Sequence, residues 1–168
     1  MTKFFKGILP DTIAVVAFLT ICFVYFAGPI SEGLVLGGHD TVASIGQGRE
    51  LMDHLEQTGE RTRWTNTLFS GMPTYQIAPT YSSDNVLSTL QHILDLGTNG
   101  AMSYVFLYLI GFYIMLRAFR LKPWISVLGA VAWAFSSYFF IIISAGHIWK
   151  VLTLAFVPPT IGGLLLCY

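Results

Sequence analysis

Charge is scarce in this chain. Only 11% of its 168 residues are Asp, Glu, Lys or Arg, and nine basic residues balance nine acidic ones. Without a basic surplus there is no electrostatic footprint for a phosphate backbone, so nucleic acid is excluded as an expected partner. Cysteine is scarcer still. Cys22 and Cys167 both lie inside apolar runs, where a thiol behaves as a small hydrophobe, which excludes a disulfide framework and a thiolate metal site. Internal repeats, low-complexity tracts and flexible linkers are missing too. What the chain has in quantity is apolar surface, 54% hydrophobic and 15% aromatic residues, and the bilayer is the solvent that suits it.

About 20 apolar residues cover the roughly 30 Å of hydrocarbon in a bilayer. Leu9 to Ala27, Ala101 to Phe119, Trp124 to Ala145 and Val151 to Tyr168 approach that length. The expected fold class is therefore an all-α polytopic membrane protein with about four transmembrane helices and a large first extracytoplasmic loop, residues 31–100. The first helix is expected to open on Pro10, Asp11 and Thr12, with the Asp11 carboxylate at the positive helix end, and to stop at Gly28 and Pro29. Lys3 and Lys6 precede a run longer than the roughly 7 to 15 residues of a secretory signal, which favours an uncleaved anchor, although "FAGPIS" offers small residues to a signal peptidase. Basic loops stay in the cytoplasm. That puts the N-terminus and the Arg117, Arg120, Lys122 loop inside, and residues 31–100 outside together with the turn carrying His147 and Lys150.

Within the outer loop, "TVASIGQGRELMDHLEQTG" sets Ile45, Leu51, Met52 and Leu55 on one side of a helix and Arg49, Glu50, Asp53, Glu56 and Gln57 mainly on the others, the pattern of an interfacial amphipathic helix. "FSGMPTY" and "IAPTYSSDN" read as turns, the last initiated by Asp84.

Three stretches could carry chemistry. In "GGHD", Gly37 and Gly38 permit close backbone approach, and Asp40 beside His39 can act as a general base or bind a divalent cation; it can equally cap the following helix. In "ERTRWTNTLFSGMPTY", Arg61 and Arg63 suit phosphate, while Trp64, Asn66, Phe69 and Tyr75 suit sugar rings or the headgroup belt. In "SAGHIWKVLTLAFVPP", Gly146 ends the third span, and His147 and Lys150 at i, i+3 spacing can face one lipid phosphate, or Lys150 can simply snorkel to headgroups. Pro158 and Pro159 are expected to bend the fourth span and leave carbonyls that need a wet or protein-lined surrounding.

In this order, "GGHD", "RWTNTLFSGMPTYQ", "WAFSSYFF" and "AGHIWKVLTLAFVPP" resemble the amino-terminal part of YfhO-type bacterial membrane proteins over nearly the whole chain. The resemblance implies a GT-C class glycosyltransferase, which takes sugar from a polyprenyl-phosphate donor on the outer face of the cytoplasmic (inner) membrane and passes it to a cell-envelope glycan or protein. It also implies that Asp40 is the acidic residue of the first outer loop, accepting the proton of the acceptor hydroxyl or helping to hold a metal, with His39 tuning it. Some GT-C families carry an Asp-x-Asp pair where this chain has one acid, so a divalent metal stays open, with Asp40 its one candidate ligand. His147 and Lys150 match the "GH..K" motif of these proteins, and charge and side suggest that they bind the donor phosphate. YfhO-type proteins are much longer, so the chain is expected to be an amino-terminal portion, inactive alone. Two other functions compete: a transporter or flippase subunit, in which Lys150 and the fourth span line a path, and a non-catalytic envelope assembly factor. The near absence of ionisable residues from the spans weighs against a carrier.

Overall fold

The computed structural model describes residues 2–34, 37–77 and 100–168, with side chains from Ile8 onward. The chain is mainly helical. In order come α1 (Thr2–Tyr25), α2 (Ala27–Ser31), α3 (His39–Gln47), α4 (Arg49–Thr58), the paired strands β1 (Trp64–Thr65) and β2 (Met72–Pro73), then α5 (Ala101–Ala118), α6 (Pro123–Ala134), α7 (Ser137–Ala145) and α8 (Ile148–Cys167). Among the described residues, three helices are long and apolar enough to cross a membrane: Ile8–Tyr25 of α1, α5 and α8. Helices α6 and α7 make a fourth span if counted together, although they are bent by 46° at their junction. A membrane protein is the consequence, and the short antiparallel hairpin pairing Trp64 with Pro73 and Thr65 with Met72 is its one departure from all-α among the described residues.

Helix α5 is the centre of the bundle, packing on α8, α6 and α1. In lipid, helices associate through close packing and satisfied polar groups. Both devices are present. The Tyr108 hydroxyl, fully buried, donates to the Val151 carbonyl at 3.0 Å, while its ring stacks on Phe139. Gly111 lets α8 approach so closely that a Cβ there would lie 2.6 Å from the Ala155 carbonyl oxygen and 3.2 Å from the Pro159 ring. Pro159 lacks the N–H that would normally bond that carbonyl four residues back. The freed oxygen faces Gly111 of α5, a protein-lined surrounding, and α8 continues through both prolines from Ile148 to Cys167.

Four sequence expectations are corrected. Asp11 does not open a helix: α1 begins at Thr2 with Pro10 inside it, and the carboxylate accepts hydrogen bonds from the Tyr113 hydroxyl (2.5 Å) and from Arg117 Nε (2.8 Å) on α5. An ion near hydrocarbon needs a partner more than it needs a helix end. That contact puts the start of α1 and the end of α5 at one level. Gly28 and Pro29 do not end α1, which stops at Tyr25; they lie in α2. The third span, expected to run from Trp124 to Ala145, breaks at Phe135 and Ser136, where Ser136 takes extended backbone (φ −62°, ψ 135°). There the rings of Tyr25, Phe135 and Phe140 gather in one cluster. Finally, the expected amphipathic helix divides at Gly48 into α3 and α4. Leu51 is buried, but Ile45 is 69% exposed, so the two apolar sets do not share one protein-facing side. Asp84 and the turn around it lie outside the described residues.

Candidate functional site

Two glycines bring the site together. Gly146 closes α7 in the left-handed region (φ 87°), and the N–H groups of Gly146 and His147 return to the carbonyls of Ile143 and Ile142 (3.1 Å each), the two bonds of a Schellman motif. The chain turns sharply there, which places His147 just before α8. Against this turn lies Gly38, just before α3. A Cβ on Gly38 would come within 2.4 Å of the Gly146 Cα, and one on Gly146 within 2.8 Å of Thr41 Oγ1. No other residue type fits at either position without displacing backbone.

That backbone contact joins two of the three stretches singled out from the sequence. Asp40, in the first turn of α3, places Oδ2 2.7 Å from His147 Nδ1, with both side chains about half exposed (49% and 48%). Its other oxygen lies 3.6 Å from Nδ1 of His39, too far for a hydrogen bond, and the His39 side chain is 94% exposed. His39 is a neighbour of Asp40 and no more. Lys150 lines the same cleft, one turn along α8 from His147, with Nζ 5.4 Å from the centre of the Tyr138 ring. The cleft has a volume of about 540 Å³, and Asp40, Ser44 and Gln47, at i, i+4 and i+7 on α3, form one wall opposite His147, Trp149 and Lys150. Carboxylate, imidazole, ammonium and indole therefore line one hollow. Such a set can move a proton beside a bound anion. It departs from the expectation that His147 and Lys150 together face a phosphate, because the His147 ring is already engaged by an anion of the protein.

Arg61, Arg63, Trp64 and Asn66 are placed elsewhere, on and just before the hairpin, and none of them lines the cleft. The Trp64 indole lies over Gly71 (φ 122°), where a Cβ would come within 2.9 Å of the ring. Asn66 and its neighbours serve a residue that the sequence reading left on a polar helix face. Glu50 Oε2 accepts hydrogen bonds from the hydroxyls of Thr65 and Thr67 and from the backbone N–H groups of Asn66 (2.9 Å) and Thr67 (3.1 Å). The Thr65 hydroxyl, followed by that of Thr67, holds the Glu50 carboxyl down at about 2. The "TNT" run is thus an internal carboxylate cradle fastening the hairpin to α4. Alternating hydroxyls were its visible signal; which acid they would meet was not visible.

Among the described residues no group of three or more His, Cys, Asp or Glu side chains could hold a metal ion. No family model matches the chain, and neither a curated protein nor a solved structure matches it.

Proposed function

We propose that the chain is the amino-terminal part of a membrane-embedded glycosyltransferase of the YfhO-like, GT-C kind. It passes sugar from a polyprenyl-phosphate donor to a cell-envelope glycan or protein, on the outer face of a bacterial cytoplasmic membrane, with the N-terminus in the cytoplasm. One observation carries this reading: the acid of the first outer loop and the basic turn between the last two spans share a single cleft. In the reaction the acceptor oxygen attacks the sugar carbon, its proton passes to the Asp40–His147 pair, and the donor phosphate departs beside the Lys150 ammonium. The basic Arg117 to Lys122 loop and the sparse charge of the spans support the orientation.

A second reading, a lipid flippase or carrier, is favoured by the broken α6–α7 span, since interrupted helices line substrate paths in transporters. The experiment is transfer of labelled glucose from polyprenyl-phosphate glucose to isolated cell envelope by the full-length protein in proteoliposomes. The transferase reading expects transfer that falls about 100-fold in Asp40→Asn at unchanged abundance. Movement of the donor lipid across the bilayer without sugar transfer would favour the carrier. Orientation is read separately, by impermeant labelling of single cysteines at Ser70 and Leu121 in a background lacking Cys22 and Cys167: only Ser70→Cys is expected to react on intact cells.

A further inference from the structure

We infer that His147, and not Asp40, is the proton acceptor of this site, and that Asp40 is the residue that positions it; the inference rests on the transferase reading above. The geometry starts with the 2.7 Å contact between Asp40 Oδ2 and His147 Nδ1. A separation that short needs a hydrogen between the two atoms, and an ionised carboxylate has none to offer. The hydrogen is therefore on Nδ1, and in the neutral ring Nε2 keeps its lone pair.

Everything around the ring fixes its root. The His147 N–H is bonded to the Ile142 carbonyl at 3.1 Å, its own carbonyl accepts from the Val151 N–H at 2.9 Å, and Gly146 before it is held in the left-handed turn by the Gly38 contact. Asp40 is fixed as well, in the first turn of α3, where the helix end favours its negative charge. One oxygen of this carboxylate is committed to the imidazole, and the ring it orients lines the cleft half-exposed, so the ring is the group presented to a bound hydroxyl. Among the described residues, the charged and titratable groups about the ring are Asp40, with His39 beside it at the start of α3, and Lys150 on α8, which lines the same cleft.

The step then balances without a further reactant. The acceptor oxygen forms a bond to the sugar carbon as the bond from that carbon to the donor phosphate oxygen breaks, and the electron pair leaves with the phosphate. The hydroxyl proton moves to Nε2. The imidazolium so formed is stabilised by Asp40 and releases its proton to water after product leaves, a division of labour that follows the general logic of paired acid and imidazole.

Two measurements test this. In the first, full-length protein with ¹⁵N-labelled histidine is placed in phosphatidylethanolamine–phosphatidylglycerol nanodiscs and the His147 nitrogen shifts are recorded, assigned by their loss in His147→Gln. The neutral ring is expected as the Nδ1–H tautomer, changing to a mixture in Asp40→Asn; an Nε2–H tautomer in wild type would overturn the inference. This arm needs no donor, so it decides the pairing even if the transferase reading fails. The second uses transfer from polyprenyl-phosphate glucose. His147→Ala is expected to lower kcat about 1000-fold with little change in KM, and added imidazole to restore about tenfold or more. His147→Asn keeps a nitrogen near the Nδ1 position, and so the bond to Asp40, but lacks Nε2; it is expected to be as slow as His147→Ala. Asp40→Asn is expected to lose about 100-fold, and His54→Ala, on the outer face of α4, nothing. If His147→Asn transfers sugar within about threefold of wild type while Asp40→Asn is inactive, Asp40 is itself the base and the proposal fails. If wild type carries no sugar from this donor while the tautomer is as expected, the transferase reading has failed and the oriented pair stands.

Discussion

Two aspartates anchor opposite ends of the bundle, and their surroundings differ in one respect. Asp11, at the end where α1 begins, meets Arg117 at 2.8 Å and Tyr113 at 2.5 Å, and Arg117 itself is bonded onward to the Leu121 carbonyl at 2.5 Å. Asp40, at the other end, meets His147 at 2.7 Å, and its second oxygen has only His39 at 3.6 Å. The Asp11 cluster ties α1 to α5. The Asp40–His147 pair opens on a cleft that also holds a lysine and a tryptophan. A polar cluster that ties two helices together serves packing, whereas one that lines a hollow can serve a substrate.

The contrast can be broken most directly by exchanging the damage. Asp40→Asn is expected to cost about 100-fold in transfer with normal abundance, whereas Asp11→Asn, which strands Arg117 without its counter-ion, is expected to lower stability by about 2 kcal/mol and abundance with it. Equal loss of abundance in both variants, measured in membranes beside activity, would erase the distinction.

Gly38→Val tests whether the Asp40–His147 pair depends on the glycine contact. Its side chain cannot fit where a Cβ alone would come within 2.4 Å of Gly146, so α3 must move away from the turn. Transfer is expected to fall by about tenfold to 100-fold while the spans still insert. The His147 tautomer is expected to become mixed, which a general loss of folding would not produce. Lys150→Ala comes next, with donor affinity in nanodiscs about tenfold weaker, or roughly 1.5 kcal/mol, and Lys150→Arg keeping part of it because charge survives while geometry changes. Affinity equal to wild type in Lys150→Ala would make that lysine a snorkelling side chain.

The smallest expected effect concerns Glu50, which resembles Asp11 in binding another segment of the protein and not the cleft. Because the hydroxyls of Thr65 and then Thr67 hold its carboxyl down from 4.5 to about 2, the attachment it makes is fully present above the ordinary carboxylate range and lost as pH falls through about 2. Amide exchange at Asn66 and Thr67 is expected to stay slow at about pH 4 in wild type and to be fast there in Glu50→Gln. Fast exchange in both would show that the cradle does not hold.

Length and hydropathy made α1, α5 and α8 legible before any coordinates, because crossing hydrocarbon is a requirement each segment meets alone, with its own backbone bonds. Glycine marked the end of the third span for the same local reason, since Gly146 needs positive φ whatever lies beyond it. The break at Ser136 was not legible. The rings that gather there come from α1 as well as from the span itself. Of the candidate site, the residues Asp40, His147 and Lys150 could be named from spacing and charge, but not the meeting of the first with the second. Arg61, Arg63, Trp64 and Asn66 read equally well as binding residues, and the structure sets them on a hairpin away from the cleft.

The sequence by itself determined which stretches are apolar enough to leave water, where helices must stop for want of a side chain, and which few ionisable groups are at hand for chemistry. Those are properties of neighbouring residues. The tertiary structure decided the partners: Asp11 with Arg117, Glu50 with the Thr65–Thr67 cradle, Asp40 with His147. A charge accepts any suitable counter-group within about 3 Å, so its choice is made by whichever backbones can approach that closely. At the Asp40–His147 pair, two glycines from distant parts of the chain permit that approach.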